Sequence, residues 1–148
     1  MRRNEFLKIC GGACLGLVGI SVAMQSCATQ NLIQGNLKDN RLQISKSEFI
    51  KVKKDNTKIK YRKYILVHAS QLVKPIVVYR ENDSTYTALL LSCTHQGNQL
   101  DVSGDILTCS AHGSEFDKLG NVIQGPAEQK LTSYLVTSDE KSIFIQLI

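Results

Sequence analysis

Four residues restrict this chain more tightly than its length or composition: Cys93, His95, Cys109 and His112. They read Cys-x-His, then thirteen intervening residues, then Cys-x-x-His. Any fold must therefore bring two loops together, each presenting one thiol and one imidazole to the same point. Gly97 and Gly113 follow the two halves, and glycine lets backbone approach a ligand with no Cβ in the way. The economical inference is a four-ligand inorganic site. On ligand identity alone zinc and an iron–sulfur cluster stand level, since a Cys2His2 set suits tetrahedral zinc equally well. A Cys93–Cys109 disulfide in a metal-free binding module is a further reading, but it leaves the histidines unexplained.

The start of the chain bears on how many cysteines are available. Arg2, Arg3 and Lys8 precede an uncharged run from Ile9 to Met24, followed by small and polar residues up to Cys27. This is the layout of an export signal over residues 1–26, and the run, with four glycines, is short for a membrane span. Met24-Gln25-Ser26-Cys27 resembles a relaxed lipoprotein cleavage box, which would make Cys27 the acylated first residue of the mature chain and a lipid anchor in a membrane. Arg2-Arg3 with Phe6-Leu7-Lys8 resembles a twin-arginine signal displaced by one place, so the route, Sec or twin-arginine, stays open. Removing Cys10 and Cys14 with the leader, and Cys27 with the lipid, leaves Cys93 and Cys109 as the only thiols.

Without Arg2, Arg3, Lys8 and Glu5 the mature chain carries 15 basic and 12 acidic residues. Lys51, Lys53, Lys54, Lys58, Lys60, Arg62 and Lys63 alternate with polar and apolar residues and read as a solvated strand face. No aromatic interleaving points to nucleic acid.

Residues 27–40 are polar, with Gly35 alone and no periodicity, and read as a lipid-anchored tether. From Arg41 onward short β-branched and aromatic runs recur between polar turns: 41–44, 49–53, 63–69, 76–81 and 86–92, with a closing hairpin from 131–136 and 143–148. Glu81-Asn82-Asp83-Ser84 is expected to be a hairpin turn. His68, inside an apolar run, is assigned as a structural strand residue. The expectation is one all-β domain over 41–148, a small antiparallel sandwich or barrel with a subdomain of loops and short strands at about 92–127.

The text around the four candidate ligands is more specific. Cys93-Thr94-His95-Gln96-Gly97, Cys109-Ser110-Ala111-His112-Gly113-Ser114-Glu115-Phe116-Asp117, Gly120 and Gly125-Pro126-Ala127 together resemble the Rieske iron–sulfur family. The resemblance implies a [2Fe-2S] cluster with Cys93 and Cys109 on one iron and His95 and His112 on the other. Two neutral imidazoles in place of two thiolates make the cluster less negative, so such centres lie at about −150 to +300 mV rather than about −400 mV. It also implies that the histidine-bound iron lies nearest solvent, that Ser114 donates a hydroxyl hydrogen bond to a bridging sulfide, and that Gly125-Pro126-Ala127 shields the cluster as a third loop.

Departures from the quinol-oxidising members are specific. Their bracing disulfide is absent, because its two places are Asn98 and Ala111. Gln96 replaces an apolar residue, and Phe116 stands where high-potential members carry tyrosine, which implies an intermediate potential. The functional expectation is an exported electron carrier, or the small redox subunit of an oxidoreductase, serving redox partner proteins rather than acting as a complete enzyme. The ferredoxin component of an oxygenase system and a structural zinc-binding lipoprotein are the alternatives.

Overall fold

The structure, a computed structural model, describes residues 32–51 and 59–147. The export segment, Cys27 and residues 28–31 lie outside them, and among the described residues no helix is long and apolar enough to cross a membrane. In chain order the strands are β1 (Leu32–Gln34), β2 (Asn36–Lys38), β3 (Arg41–Ser45), β4 (Ile50–Lys51), β5 (Lys60–Tyr61), β6 (Tyr64–His68), β7 (Ile76–Arg80), β8 (Tyr86–Leu90), β9 (Asp101–Ser103), β10 (Ile106–Thr108), β11 (Glu115–Asp117), β12 (Val122–Gln124), β13 (Ser133–Ser138) and β14 (Ser142–Gln146). A single 3-10 turn, Lys46–Phe49, precedes β4.

Eight strands form one sheet in the order β1-β6-β7-β8-β13-β14-β3-β2. Its two edges, β1 and β2, are consecutive in the chain and separated only by Gly35, so one bent strand nearly closes the sheet into a barrel. β1 pairs parallel to β6, and the other pairs are antiparallel. The Gly35 N–H continues the ladder to the carbonyl of His68 at 3.0 Å. Glycine is required at the bend because a Cβ there would lie 2.4 Å from Leu42 Cδ1 and 2.7 Å from its Cγ.

This corrects the expected tether. Residues 32–38 belong to the barrel sheet rather than to a linker over 27–40. Their composition concealed it because both strands lie at edges, with only Ile33 and Leu37 turned half inward. Of the expected strand over 49–53, Phe49 closes the 3-10 turn, Ile50–Lys51 form β4, and residues 52 and 53 lie outside the described ones.

Burial explains the two kinds of strand pattern. In β3, Leu42 and Ile44 alternate with polar residues, and in β14 Ile143 and Ile145 alternate with Ser142, Phe144 and Gln146; the two leucine–isoleucine and isoleucine pairs fill the barrel while their neighbours face outward. β6, β7 and β8 are covered on both faces and read as continuous apolar runs. Ile65, Val67, Ile76, Val78 and Ala88 point into the barrel core, whereas Leu66, Val77, Tyr79 and Leu89 belong to a second core. That second core is capped by a four-stranded sheet, β12-β11-β10-β9.

The expected hairpin turn joins β7 to β8. Asn82 Oδ1 accepts the N–H groups of Ser84 and Thr85 at 2.9 and 2.8 Å, the Asx geometry that makes asparagine a turn former.

Candidate metal centre

Beyond β8 the chain crosses from the barrel to the small sheet, and the Cys93 loop forms between Ser92 and Gln99, which meet as an isolated bridge. The Cys109 loop connects β10 to β11. The two loops share one hydrogen-bond frame. Cys93 N–H donates to the Asn98 carbonyl at 2.8 Å, and Gly97 N–H donates to the Cys93 carbonyl at 2.7 Å. Cys109 N–H donates to the Ser114 carbonyl at 2.8 Å, and Gly113 N–H donates to the Cys109 carbonyl at 2.8 Å.

In each loop the glycine four residues after the cysteine has a left-handed φ, 72° for Gly97 and 78° for Gly113, where a side chain would be strained. Only the histidine position differs, two residues after Cys93 and three after Cys109.

The frame sorts the four donors by depth. Cys93 and Cys109 are 2% and 1% exposed and pack in the second core with Leu100, Leu107 and Phe116. His95 and His112 are exposed, their rings meeting edge to face with centroids 4.9 Å apart. Both cysteines are free. Among the described residues no three His, Cys, Asp or Glu side chains stand close enough to share one ion. His68 lies in β6 opposite Gln34 of β1, apart from the other two histidines.

A third segment, 124–129, is stitched to both loops. Thr94 Oγ1 donates to the Gln129 carbonyl at 2.6 Å, and Gln124 Nε2 donates to the Gly113 carbonyl at 3.0 Å. Ala127 N–H donates to Ser114 Oγ at 3.0 Å. Ser114 is fully buried, and its hydroxyl proton finds no acceptor among the described residues. A buried hydroxyl with an uncommitted proton calls for an acceptor.

Two buried thiols, two exposed imidazoles and that spare donor fit a group that would take thiolate and imidazole ligands and offer sulfide as an acceptor. The residues present are thus chemically suited to a [2Fe-2S] cluster.

Asp117 returns the chain toward the third segment. Its Oδ1 accepts Leu119 N–H and Asn121 N–H at 2.9 and 2.8 Å, and its Oδ2 accepts Asn121 Nδ2 at 2.9 Å. Burial pushes this carboxyl up, but the hydrogen bonds from Asn121, Leu119 and Gly120 outweigh it, and its pKa is lowered. Sequence reasoning placed Gly125-Pro126-Ala127 beside the site and included Asp117 in the motif, but missed Gln124 and Gln129. Their roles depend on which loops meet in space, and no spacing announces that.

A family model for the Rieske [2Fe-2S] domain matches residues 48–135. Among solved structures, a plasma-membrane Rieske protein of the cyanobacterium Synechocystis PCC 6803 is 26% identical, covering 56% of this chain and 85% of its own, with a TM-score of 0.49. A chain in the complex of reduced oxygenase and oxidised ferredoxin in carbazole 1,9a-dioxygenase is 24% identical, covering 57% of this chain and 80% of its own, with a TM-score of 0.45. A chain in the reduced complex of the same system is 20% identical, covering 76% of this chain and 29% of its own, with a TM-score of 0.48. No curated protein matches the chain.

Proposed function

The chain belongs to the Rieske [2Fe-2S] domain family, and on that premise we propose that it is an exported, lipid-anchored electron carrier or the small redox subunit of a larger oxidoreductase. The domain binds a [2Fe-2S] cluster, and its work is iron–sulfur electron transfer. In our reading Cys93 and Cys109 would hold one iron, His95 and His112 would hold the other, and Ser114 would donate a hydrogen bond to the cluster's sulfide. When bound, the cluster takes up and releases one electron at a time.

The observation that carries this assignment is the sorting of donors by depth in two loops of one frame. Burying Cys93 and Cys109 removes water from the thiolates, and exposure of His95 and His112 leaves an edge through which a partner can exchange electrons. The third segment, held by Thr94, Gln124 and Ser114, keeps solvent from the opposite side. The exposed residues beside the histidines, Gln96, Asn98 and Gln99, are carboxamides. They suit a polar protein partner better than an apolar quinol pocket.

The direct test is the purified protein. Two irons and two sulfides per chain, with a low-temperature EPR signal appearing after dithionite reduction, are expected. A colourless protein with stoichiometric zinc would overturn the assignment. Cys93→Ser and His112→Ala should each abolish the signal, while His68→Ala should keep it.

Export rests on the leader over residues 1–26 and the anchor on Cys27, which lie outside the described residues. Cell fractionation and the intact mass of the membrane-extracted chain test both. A cytoplasmic chain starting at Met1 would favour the oxygenase-ferredoxin reading.

A further inference from the structure

The chain joins the barrel at the end remote from the histidines. β1 runs parallel to β6 with Leu32 opposite Leu66, so both strands start at the same end. The start of β6 is tied to the turn between β9 and β10: Tyr64 Oη donates to the Val102 carbonyl at 3.3 Å, and Lys63 pairs with Asp105 at 3.3 Å. Cys109 follows the opposite end of β10, beyond Thr108. The segment from Cys27 to Asn31 is five residues and spans at most about 18 Å. On a chain that continues outward along the direction of β1, a lipid on Cys27 would hold the barrel by the end that His95 and His112 do not occupy.

The β4–β5 hairpin projects at that same end, directly before β6. Ile50 lies opposite Tyr61 and Lys51 opposite Lys60. Two lysines facing each other across a ladder destabilise it, and neither has an acidic partner among the described residues. The carboxylates of Asp105, Asp83 and Glu81 are engaged by Lys63, Arg80 and Lys118. Glu48 and Glu140 share this end, so the basic element is the hairpin and not the whole end. Its other face presents Ile50 36%, Ile59 69% and Tyr61 46% exposed, with the Arg80 guanidinium lying over the Tyr61 ring at 4.0 Å. Lysines unpaired among the described residues, beside exposed aliphatic side chains and a tyrosine capped by an arginine, are the composition of an element lying at a lipid–water interface.

We propose that the β4–β5 hairpin contacts an anionic lipid surface, adding to the anchor on Cys27 and holding the histidine edge away from the membrane. The inference rests on the lipid-anchored reading above, because a basic patch beside a lipid anchor strengthens membrane attachment. Facing the histidines outward assigns the redox partner to the aqueous side.

The test uses the cluster-loaded mature chain carrying Cys27→Ser, so that only the hairpin can hold a bilayer. It should co-sediment with phosphatidylcholine–phosphatidylglycerol vesicles and not with phosphatidylcholine alone. Lys51→Gln with Lys60→Gln should weaken that binding by about tenfold or more while leaving the EPR signal intact. Lys38→Gln with Arg41→Gln, at the other end of the barrel, should leave binding unchanged.

Hydrogen exchange on the vesicles should protect residues 59–63 and leave 93–99 and 109–114 as they are in solution. Equal binding to both vesicle types, equal loss in both double variants, protection of 93–99, or tighter binding to a short DNA duplex would each overturn the proposal. The intact mass of the wild-type chain reports the Cys27 lipid separately. An unlipidated chain whose hairpin still binds vesicles refutes the anchor and leaves the hairpin contact standing.

Discussion

Phe116 and Ser114, two residues apart in sequence, are both fully buried, Phe116 in one core with the thiols and Ser114 with its carbonyl accepting from Cys109 N–H. A hydroxyl donated toward the cluster stabilises its more negative, reduced form and raises the potential. In the proposed assignment Ser114 supplies such a hydroxyl, and Phe116 has none to supply. Phe116→Tyr is therefore expected to raise the potential, and Ser114→Ala to lower it. A net hydrogen bond of about 0.5–1.5 kcal/mol, with about 59 mV per tenfold change in a one-electron equilibrium, gives shifts of roughly 20–60 mV. Protein-film voltammetry measures both, and a fall in Phe116→Tyr would refute the idea that the missing hydroxyl sets the potential. Ser114→Ala carries a second consequence, because Ala127 N–H loses its acceptor. Its unfolding free energy should drop by about 1–3 kcal/mol, whereas a tyrosine that keeps the ring packed should change stability less.

Gly35 and Asp117 govern how elements meet. At Gly35 the closing strand passes over Leu42, which is fully buried, so the leucine has nowhere to retreat when a Cβ arrives at 2.4 Å. Gly35→Ala should destabilise the domain by about 1–3 kcal/mol, seen as a lower urea midpoint at unchanged slope. Asp117 acts through pH. Its folded pKa lies below the ordinary 3.8, so its contribution is present above that value and is lost as pH falls through the folded one. Asp117→Asn should flatten the acid limb of the stability curve below about pH 3.8, by no more than about 1 kcal/mol since the carboxylate is solvent-screened. These two residues also mark the limit of sequence reading at this scale. The strands at 41–45, 64–68, 76–80 and 86–90 were legible because their apolar residues fill a core, and the Asn82 turn because its side chain acts locally. β1 and β2 were not, because an edge strand holding one half-buried residue apiece leaves no periodicity to detect.

At the scale of the molecule, the barrel and the cluster-binding sheet are held together by a second core with tyrosines at its margin. Tyr64 and Tyr79 stack with centroids 5.6 Å apart on the outer face of β6 and β7. Their hydroxyls donate across the junction to the carbonyls of Val102 and Gly104, at 3.3 and 3.1 Å. Burial pushes the Tyr79 phenol far above its ordinary range, helped by its neighbours Tyr64 and Asp105, so it remains a neutral donor at any physiological pH. The ligand residues could be read from sequence because iron chemistry demands those side chains. This junction could not, since it is made by side chains of common types meeting carbonyls some 25 and 38 residues away. It nevertheless positions the site, because β9 and β10 lead into the loop of Cys109. Replacing both tyrosines by phenylalanine keeps the rings and removes only the two donors. Each loss is expected to cost about 1 kcal/mol, roughly 4–8 °C of Tm for a domain of this size. Calorimetry should show that drop. If the junction positions the cluster loops, the visible absorbance of the cluster should bleach at the same lowered temperature. Bleaching at the wild-type temperature while the barrel melts early would mean that the loops hold their metal without support from the barrel.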